Sequence, residues 1–489
     1  MSAVQIAPAT AGPAPGLGSS RRRASFAFLR ERGMGASILV TALSSAFGAT
    51  LLAVTAYIGF LTTSAFGDSG SPAVMLAIVS TVFIGISLYV SAIVTSNTFS
   101  TIVAGRTRQI ALMRLIGSTA AAERRRVASQ GALVGVIGGI LGALAASGIA
   151  VAGSVIATRL FDAPAYTDPI HAWMFLPVVA VVLTTWLAAW AGSRRVLTVT
   201  PSQALGGSVA RSHEEIAGKR ARHGVAIVLG LLGILLLVGG VVAGLVTPLG
   251  LLIAFPGGLL SFTAIVMAAP LVMPPVLRLV GRLFGGSTTA RMAAGNALRY
   301  PERSSRMAIG VVVGITLVVM FGVASETFKH VAIEGMGQDS ADALGVSMVL
   351  DILSSIMMGL VGFSAVIAGV GLVNLLTIGV VQRRTELGLL RALGLTTGQI
   401  RRMVVLEALH ITLASTLLGL VLGVAYGWAG AQSLGGSGYG YQGLVIAPVI
   451  PWAPVVVIVA AMAVLTLIAS VAPTRLATRI SPVEALAAE

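Results

Sequence analysis

The chain has 489 residues, of which 56% are hydrophobic and 10% charged, with no cysteine and a formal net charge of +15. A soluble domain carries about 25% charged residues, so most of this chain does not meet water. The composition points to an all-α polytopic membrane protein and excludes disulfides and thiolate metal sites.

In chain order, residues 1–24 begin with a Pro/Ala/Gly-rich stretch and read as a disordered tail. Arg21, Arg22 and Arg23 precede an apolar run at 36–62. A cleavable signal has an apolar core of only about 7–15 residues, so this run reads as an uncleaved span. A helical span needs about 20 mostly apolar residues. Ten stretches meet that: 36–62, 73–103, 127–158, 172–192, 224–246, 250–277, 307–328, 346–381, 404–431 and 450–472. The sixth carries Pro256, Pro270, Pro274 and Pro275 and is expected to be kinked or broken.

Placing the N-terminus inside puts 30 of the 32 Lys and Arg residues in cytoplasmic segments, leaving only Arg159 and Lys329 outside. Both termini are then cytoplasmic. The positive charge belongs to an inner face beside anionic lipid, so it gives no reason to invoke nucleic acid. Outer connections such as 63–72 and 329–345 are short.

An internal repeat appears at an offset of 277 residues. Residues 97–131 align with 374–408 at ten identical positions of 35, among them Asn97/Asn374, Arg106/Arg383, Arg114/Arg391, Gly117/Gly394, Arg124/Arg401 and Arg125/Arg402. Gln130 faces Glu407 in the same register, and PSQAL at 201–205 matches SPVEAL at 481–486 in style and place. Apolar composition does not put an Asn, four Arg and a Gly in register. The chain therefore reads as two four-span units, 25–205 and 286–489, around a linker and central helix pair at 206–285. Four spans return the chain to its starting side and so do two, so the units are parallel.

The second copy, RRTELGLLRALGLTTGQIRRMVVLEAL at 383–409, has local grammar. Span eight continues as a helix, with Leu387, Leu390 and Leu393 on one side and Arg383, Arg384, Glu386 and Arg391 as polar surface. Gly394 suits a left-handed helix ending. Thr396 with Gln399 forms the pattern of a capping box for the next helix. In the first copy Ala122 replaces Gln399, leaving Ser118 or Thr119 to cap. Each unit thus carries a helical hairpin on the inner side. A plain positive-inside loop would explain the arginines but not their register, so a docking surface is the better reading.

Catalytic motifs are lacking. The Gly-Lys pair Gly218-Lys219 lacks the frame of a P-loop, there is no GxSxG elbow, and the five histidines show no metal-ligand spacing and read as surface or interfacial residues. Any ATP hydrolysis belongs to a separate partner, and two hairpins suit two copies of it. Asn97 and Asn374 read as interhelical hydrogen-bonding residues, and Glu407 as pairing with Arg402 or Arg391.

These residues resemble the FtsX-like permease family, the membrane subunits of ABC systems of the MacB and LolC type. Its pattern of a span, R-x-x-E, R-A-x-G, Q-I, E-A and a second span matches Arg383, Glu386, Arg391, Ala392, Gly394, Gln399, Ile400, Glu407 and Ala408, and its closing P-x-E-A-L matches 482–486. The segment 296–310 is similar to the amphipathic helix leading into the family's first span. The resemblance implies a bacterial plasma-membrane permease whose ATPase-coupling elements are Arg106, Arg114 and Gly117 in one hairpin and Arg383, Glu386, Arg391 and Gly394 in the other. It implies no cofactor in this chain, ATP and Mg being bound by the ATPase. Unlike many relatives, the chain has no room in its outer loops for a large domain. Export or extraction of a hydrophobic or amphipathic substrate is the leading expectation. Signalling to an outer partner without transport is the alternative, and a secondary transporter is disfavoured by the scarcity of acids within the spans.

Overall fold

The computed structural model describes residues 34–66, five positions within 81–89, 112–113, 116–160, 164–193, 213–282, 288–299, 301–336, 389–437 and 444–478. Among these, all regular structure is helical. The α-helices are α1 (Met34–Phe66), α2 (Ala120–Leu160), α3 (Leu176–Gly192), α4 (His213–Gly244), α5 (Gly250–Met267), α6 (Ala269–Gly281), α7 (Thr288–Arg299), α8 (Pro301–Met336), α9 (Thr397–Gly435) and α10 (Trp452–Thr478). A 3-10 turn, Ala172–Phe175, leads into α3. Long runs of Ala, Val, Leu and Ile fold this way because lipid offers no partner for a backbone amide, and a helix satisfies its own.

Among the described residues, seven segments are long and apolar enough to cross a membrane: Ser37–Leu61, Arg124–Arg159, Ala172–Ala191, Arg222–Gly244, Gly250–Met267, Met307–Glu334 and Thr397–Gly435. The protein is thus a polytopic membrane protein. Two further apolar helices, Ala269–Gly281 and Trp452–Ile468, are shorter. Of the expected spans, 346–381 lies outside the described residues, as does most of 73–103.

The break expected among the prolines falls at Ala268, between α5 and α6. Pro256 is carried inside α5 and Pro274 and Pro275 inside α6, whereas Pro270 sits in the first turn of α6. Its missing N–H and its ring oppose continuation of α5, yet suit the start of a new helix. A second break also falls at a proline: α7 ends at Arg299 and α8 starts at Pro301, a residue suited to the first turn of a helix, so the amphipathic helix expected over 296–310 is divided there.

Helix pairs meet along stripes of small residues. On α2, Gly138 lies so close to α1 that a Cβ there would sit 2.7 Å from the Thr41 Cβ. Gly142 approaches the Ala42 backbone, and Ser45 donates to the Gly139 carbonyl at 3.2 Å. On α9 the stripe is Gly419, Gly423 and Gly427, facing Ile315, Val319 and Val323 of α8. Without side chains in the way, the backbones approach and dispersion contact replaces lipid contact. Helices α1, α2 and α3 pack together, while α9 touches α4, α5, α6, α7, α8 and α10. The largest core lies there, with Met273 and Leu277 of α6, Val311 and Ile315 of α8, Ile411 of α9 and Met462 of α10 all buried.

At the far end of α9 from Thr397, residues 444–450 cross its surface outside any helix. Gln432 donates to the Leu444 carbonyl at 3.0 Å and accepts from the Ile446 amide at 2.7 Å. Trp428 donates to the Ile446 carbonyl at 2.7 Å, and the Val449 amide donates to Thr327 of α8 at 3.0 Å.

Candidate coupling hairpins

Two chain reversals share one geometry. In the second, a helix ending near residue 392 closes at Gly394, whose φ is +98°. The Leu395 amide donates to the Leu390 carbonyl at 3.1 Å and the Gly394 amide to the Arg391 carbonyl at 3.0 Å. This is a Schellman ending, and it demands a residue free of the Cβ penalty at positive φ. The two residues it joins, Leu390 and Leu395, pack into one apolar cluster with Ala293 of α7 and Ile400, Met403 and Val404 of α9. Thr396 then opens α9 with the expected capping box. Its Oγ1 accepts from the Gln399 amide at 3.2 Å, and Gln399 Oε1 accepts from the Thr396 amide at 2.9 Å. Such a cap contributes about 1 kcal/mol.

The first reversal repeats this in reduced form. Gly117 has φ +102°, and the Ser118 amide donates to the Met113 carbonyl at 3.0 Å. Of the two hydroxyls expected to cap, Thr119 does so, accepting from the Ala122 amide at 3.2 Å. Ala122 has no carboxamide to return a bond, and Ser118 stands where Leu395 supplies an apolar contact in the second copy.

Both tips present a pair of large apolar side chains one helical turn apart: Leu389 and Leu393 are 50% and 72% exposed, Leu112 and Ile116 44% and 80%. The expected row of Leu387, Leu390 and Leu393 is therefore divided. Reversal at Gly394 folds α9 back over Leu390, while Leu393, just before the turn, points away; Leu387 lies outside the described residues. Basic side chains flank the tips. Arg401, Arg402, Arg125 and Arg126 are exposed. Arg124 is half-buried, its guanidinium 4.2 Å from the Trp190 ring centroid of α3, a cation–π contact that ties the first hairpin to its own bundle.

Of the residues singled out from the sequence, Gly117 and Gly394 form the turns and Arg391 lies half-buried beside the second. Gln130 and Glu407 are half-buried at matching heights of α2 and α9. Arg106, Arg114, Arg383, Glu386, Asn97 and Asn374 lie outside the described residues. Sequence reasoning missed the support beneath the second hairpin. Helix α7, in which Ala290, Ala293 and Ala297 are all buried, packs on α9, with Met292 and Ala293 in one cluster with Ile400, Met403 and Val404, and this small-residue spacing of 3 and 4 was the available signal. Ser304 locks the end of α7 by donating to the Ala297 carbonyl at 2.7 Å. His410 was also misplaced. It is fully buried, with Nε2 2.8 Å from the Leu277 carbonyl of α6.

The arrangement suits mechanical transfer. At 1.5 Å per residue, the 39 residues of α9 span about 58 Å and the 41 of α2 about 61 Å. Each is roughly twice the thickness of a bilayer core, so a push at either tip reaches the opposite end through one unbroken rod.

The FtsX-like permease C-terminal family matches residues 81–201 and 358–482, together just over half of the chain. The two matches begin 277 residues apart, the spacing of the two glycine turns. The chain is similar to the ABC transporter permease YknZ of Bacillus subtilis (strain 168), 33% identical over 91 residues, covering 19% of this chain and 22% of that protein. It is 27% identical over 144 residues to the ABC transporter permease MJ1507 of Methanocaldococcus jannaschii, covering 29% and 35%. The macrolide export ATP-binding/permease protein MacB of Rhodopirellula baltica is 26% identical over 149 residues, covering 29% and 19%. The similarity thus spans about a fifth to a third of the length of these relatives. On its own matched segments, the chain belongs to the FtsX-like permease family, a polytopic membrane protein of the ABC-permease kind.

Proposed function

We propose that the chain is the membrane subunit of an ABC exporter or extractor, driven by a separate cytoplasmic ATPase present in two copies, one at each hairpin. The observation that carries this is the pair of matched turns at Gly117 and Gly394, each ending a helix that shows two exposed apolar side chains and opening a rod across the membrane. An exposed apolar pair, followed by exposed arginines in the next helix, fits a partner groove better than it fits water. In this reading the protein has ten spans in two parallel repeats, 25–205 and 286–489, with the central pair between them and both termini inside a bacterial plasma membrane. Gly142 of α2, set against α1, and Gly419 of α9, set against α8, lie 277 residues apart and support the repeat. The substrate is a hydrophobic or amphipathic molecule taken from the bilayer.

The test is co-purification with the ATPase. Charge reversal at Arg383 and Arg391, or at Arg106 and Arg114, weakens association while the permease still inserts, the first copy being the milder. Variants that bind and stimulate the ATPase as the unaltered chain does would leave the hairpins only a role in orientation.

A further inference from the structure

The second hairpin rests on α7, whose Met292 and Ala293 pack with Ile400, Met403 and Val404 of α9. At the repeat offset of 277 residues, Met403 corresponds to Arg126 of α2. Met403 is buried, whereas Arg126 and its neighbour Arg125 are exposed. The position that seats an apolar helix in the second repeat is therefore charged in the first. The run Glu123–Arg126 sets three arginines against one glutamate, a net charge of +2.

The height of this charge is set by the helices that carry it. The apolar span of α2 begins at Arg124 and that of α3 ends at Ala191, so the arginines and Trp190 share the level where headgroups begin. Indole rings favour that level. The Arg124 guanidinium stands 4.2 Å from the Trp190 ring centroid, which holds one cation of the group in place. From there α2 and α3 run antiparallel at close range. A Cβ on Gly135 would lie 3.2 Å from the Val182 Cα, and one on Gly139 3.2 Å from Val182 Cγ2. Along the same stretch Val136 and Ile140 of α2 and Val179, Leu183 and Trp186 of α3 are exposed, an apolar track that leads away from the arginines into the bilayer.

We propose that Arg124, Arg125 and Arg126 with Trp190 form a site for an anionic phospholipid of the inner leaflet, its phosphate on the guanidinium groups and its acyl chains along α2 and α3. Guanidinium groups offer paired N–H donors that match phosphate oxygens, and an anionic headgroup offsets the positive charge. The bound lipid steadies the foot of α2, and with it the first hairpin, as α7 steadies the second. The site rests on the function proposed above only for the side of the membrane on which it lies.

The test uses the full chain, without ATPase, in vesicles of phosphatidylcholine mixed with phosphatidylglycerol. Lipids with brominated tails quench an indole that they touch. Trp190 is kept as the single tryptophan, the other four being replaced by phenylalanine. With each arginine at the surface worth about fivefold, Arg125 and Arg126 together give brominated phosphatidylglycerol a preference of about 25-fold over brominated phosphatidylcholine at Trp190. Arg125→Gln or Arg126→Gln lowers it about fivefold, and Arg401→Gln leaves it unchanged. With Trp452, at the start of α10, as the single tryptophan, the two lipids quench alike. Should the multiple variant fail to fold, native mass spectrometry of the unaltered chain reads the same preference as phosphatidylglycerol retained over phosphatidylcholine, lost when Arg125 and Arg126 are both changed to Gln. Equal quenching by the two lipids at Trp190, or a preference indifferent to both arginines, overturns the site. Glycerol 3-phosphate in solution leaves the preference unchanged; displacement by it would make this a site for soluble phosphate esters and overturn the lipid assignment. With no ATPase present, none of these outcomes bears on the ABC reading, which stands or falls on its own co-purification test.

Discussion

Replacing Gly394 by valine isolates the backbone geometry of the second hairpin. A Cβ built there meets nothing within 4 Å, so the substitution causes no clash with neighbours. The cost is that of holding a β-branched residue at φ +98°, about 1–3 kcal/mol. At 1.4 kcal/mol per tenfold, the closed turn becomes about 5- to 150-fold less favoured. Hydrogen exchange reads this directly, because the Leu395 amide bonded to Leu390 loses protection by that factor without any partner present. Affinity for the ATPase falls in parallel. Asparagine tolerates the left-handed region better than valine, so Gly394→Asn is milder in both assays. Gly117→Val behaves likewise, its Cβ also meeting open space. Unchanged protection at Leu395 in the valine variant, or equal damage from Asn and Val, refutes the assignment of Gly394 as the pivot.

Packing on α9 predicts a contrast between two of its glycines. A Cβ on Gly423 would fall 2.5 Å from that of Val319, whereas Gly430 faces open space. Gly423→Leu therefore destabilises by about 1–3 kcal/mol or more, while Gly430→Ala gains up to about 1 kcal/mol of helix propensity, both read by thermal unfolding in detergent. For topology, cysteines at Ser69, Ser340 and Ser437 react with an impermeant thiol reagent from outside intact cells and one at Ser212 does not. Reaction at Ser212 would reverse the orientation. For substrate class, ATP turnover of the assembled complex rises with lipophilic or amphipathic compounds and ignores small hydrophilic solutes, since burial at about 25 cal/mol per Å² is the main binding energy that spans so poor in charge can offer. Stimulation by a sugar or an ion, with none by lipophilic compounds, would overturn it.

What the sequence determined by itself is local. Apolar runs became helices because lipid leaves the backbone no other partner. Pro270 set a break through a missing N–H and a ring, whereas the division of 296–310 at Pro301 was not read from the sequence. Gly394, Thr396 and Gln399 announced a turn and a cap because those bonds join residues within five positions of one another. What only the tertiary structure decided is which faces meet. Val311 and Ile315 of α8 are buried, while Val228 of α4 and Ile140 of α2 are exposed, though all four are the same kind of side chain. In water, exposure would select polar residues and mark the outer face of a helix. In a membrane, lipid and protein interior are equally apolar, so that contrast disappears. The seating of Ala293 beneath the hairpin, the burial of His410 against Leu277, and the central pair held to α9 by backbone therefore emerged only when distant segments were brought together.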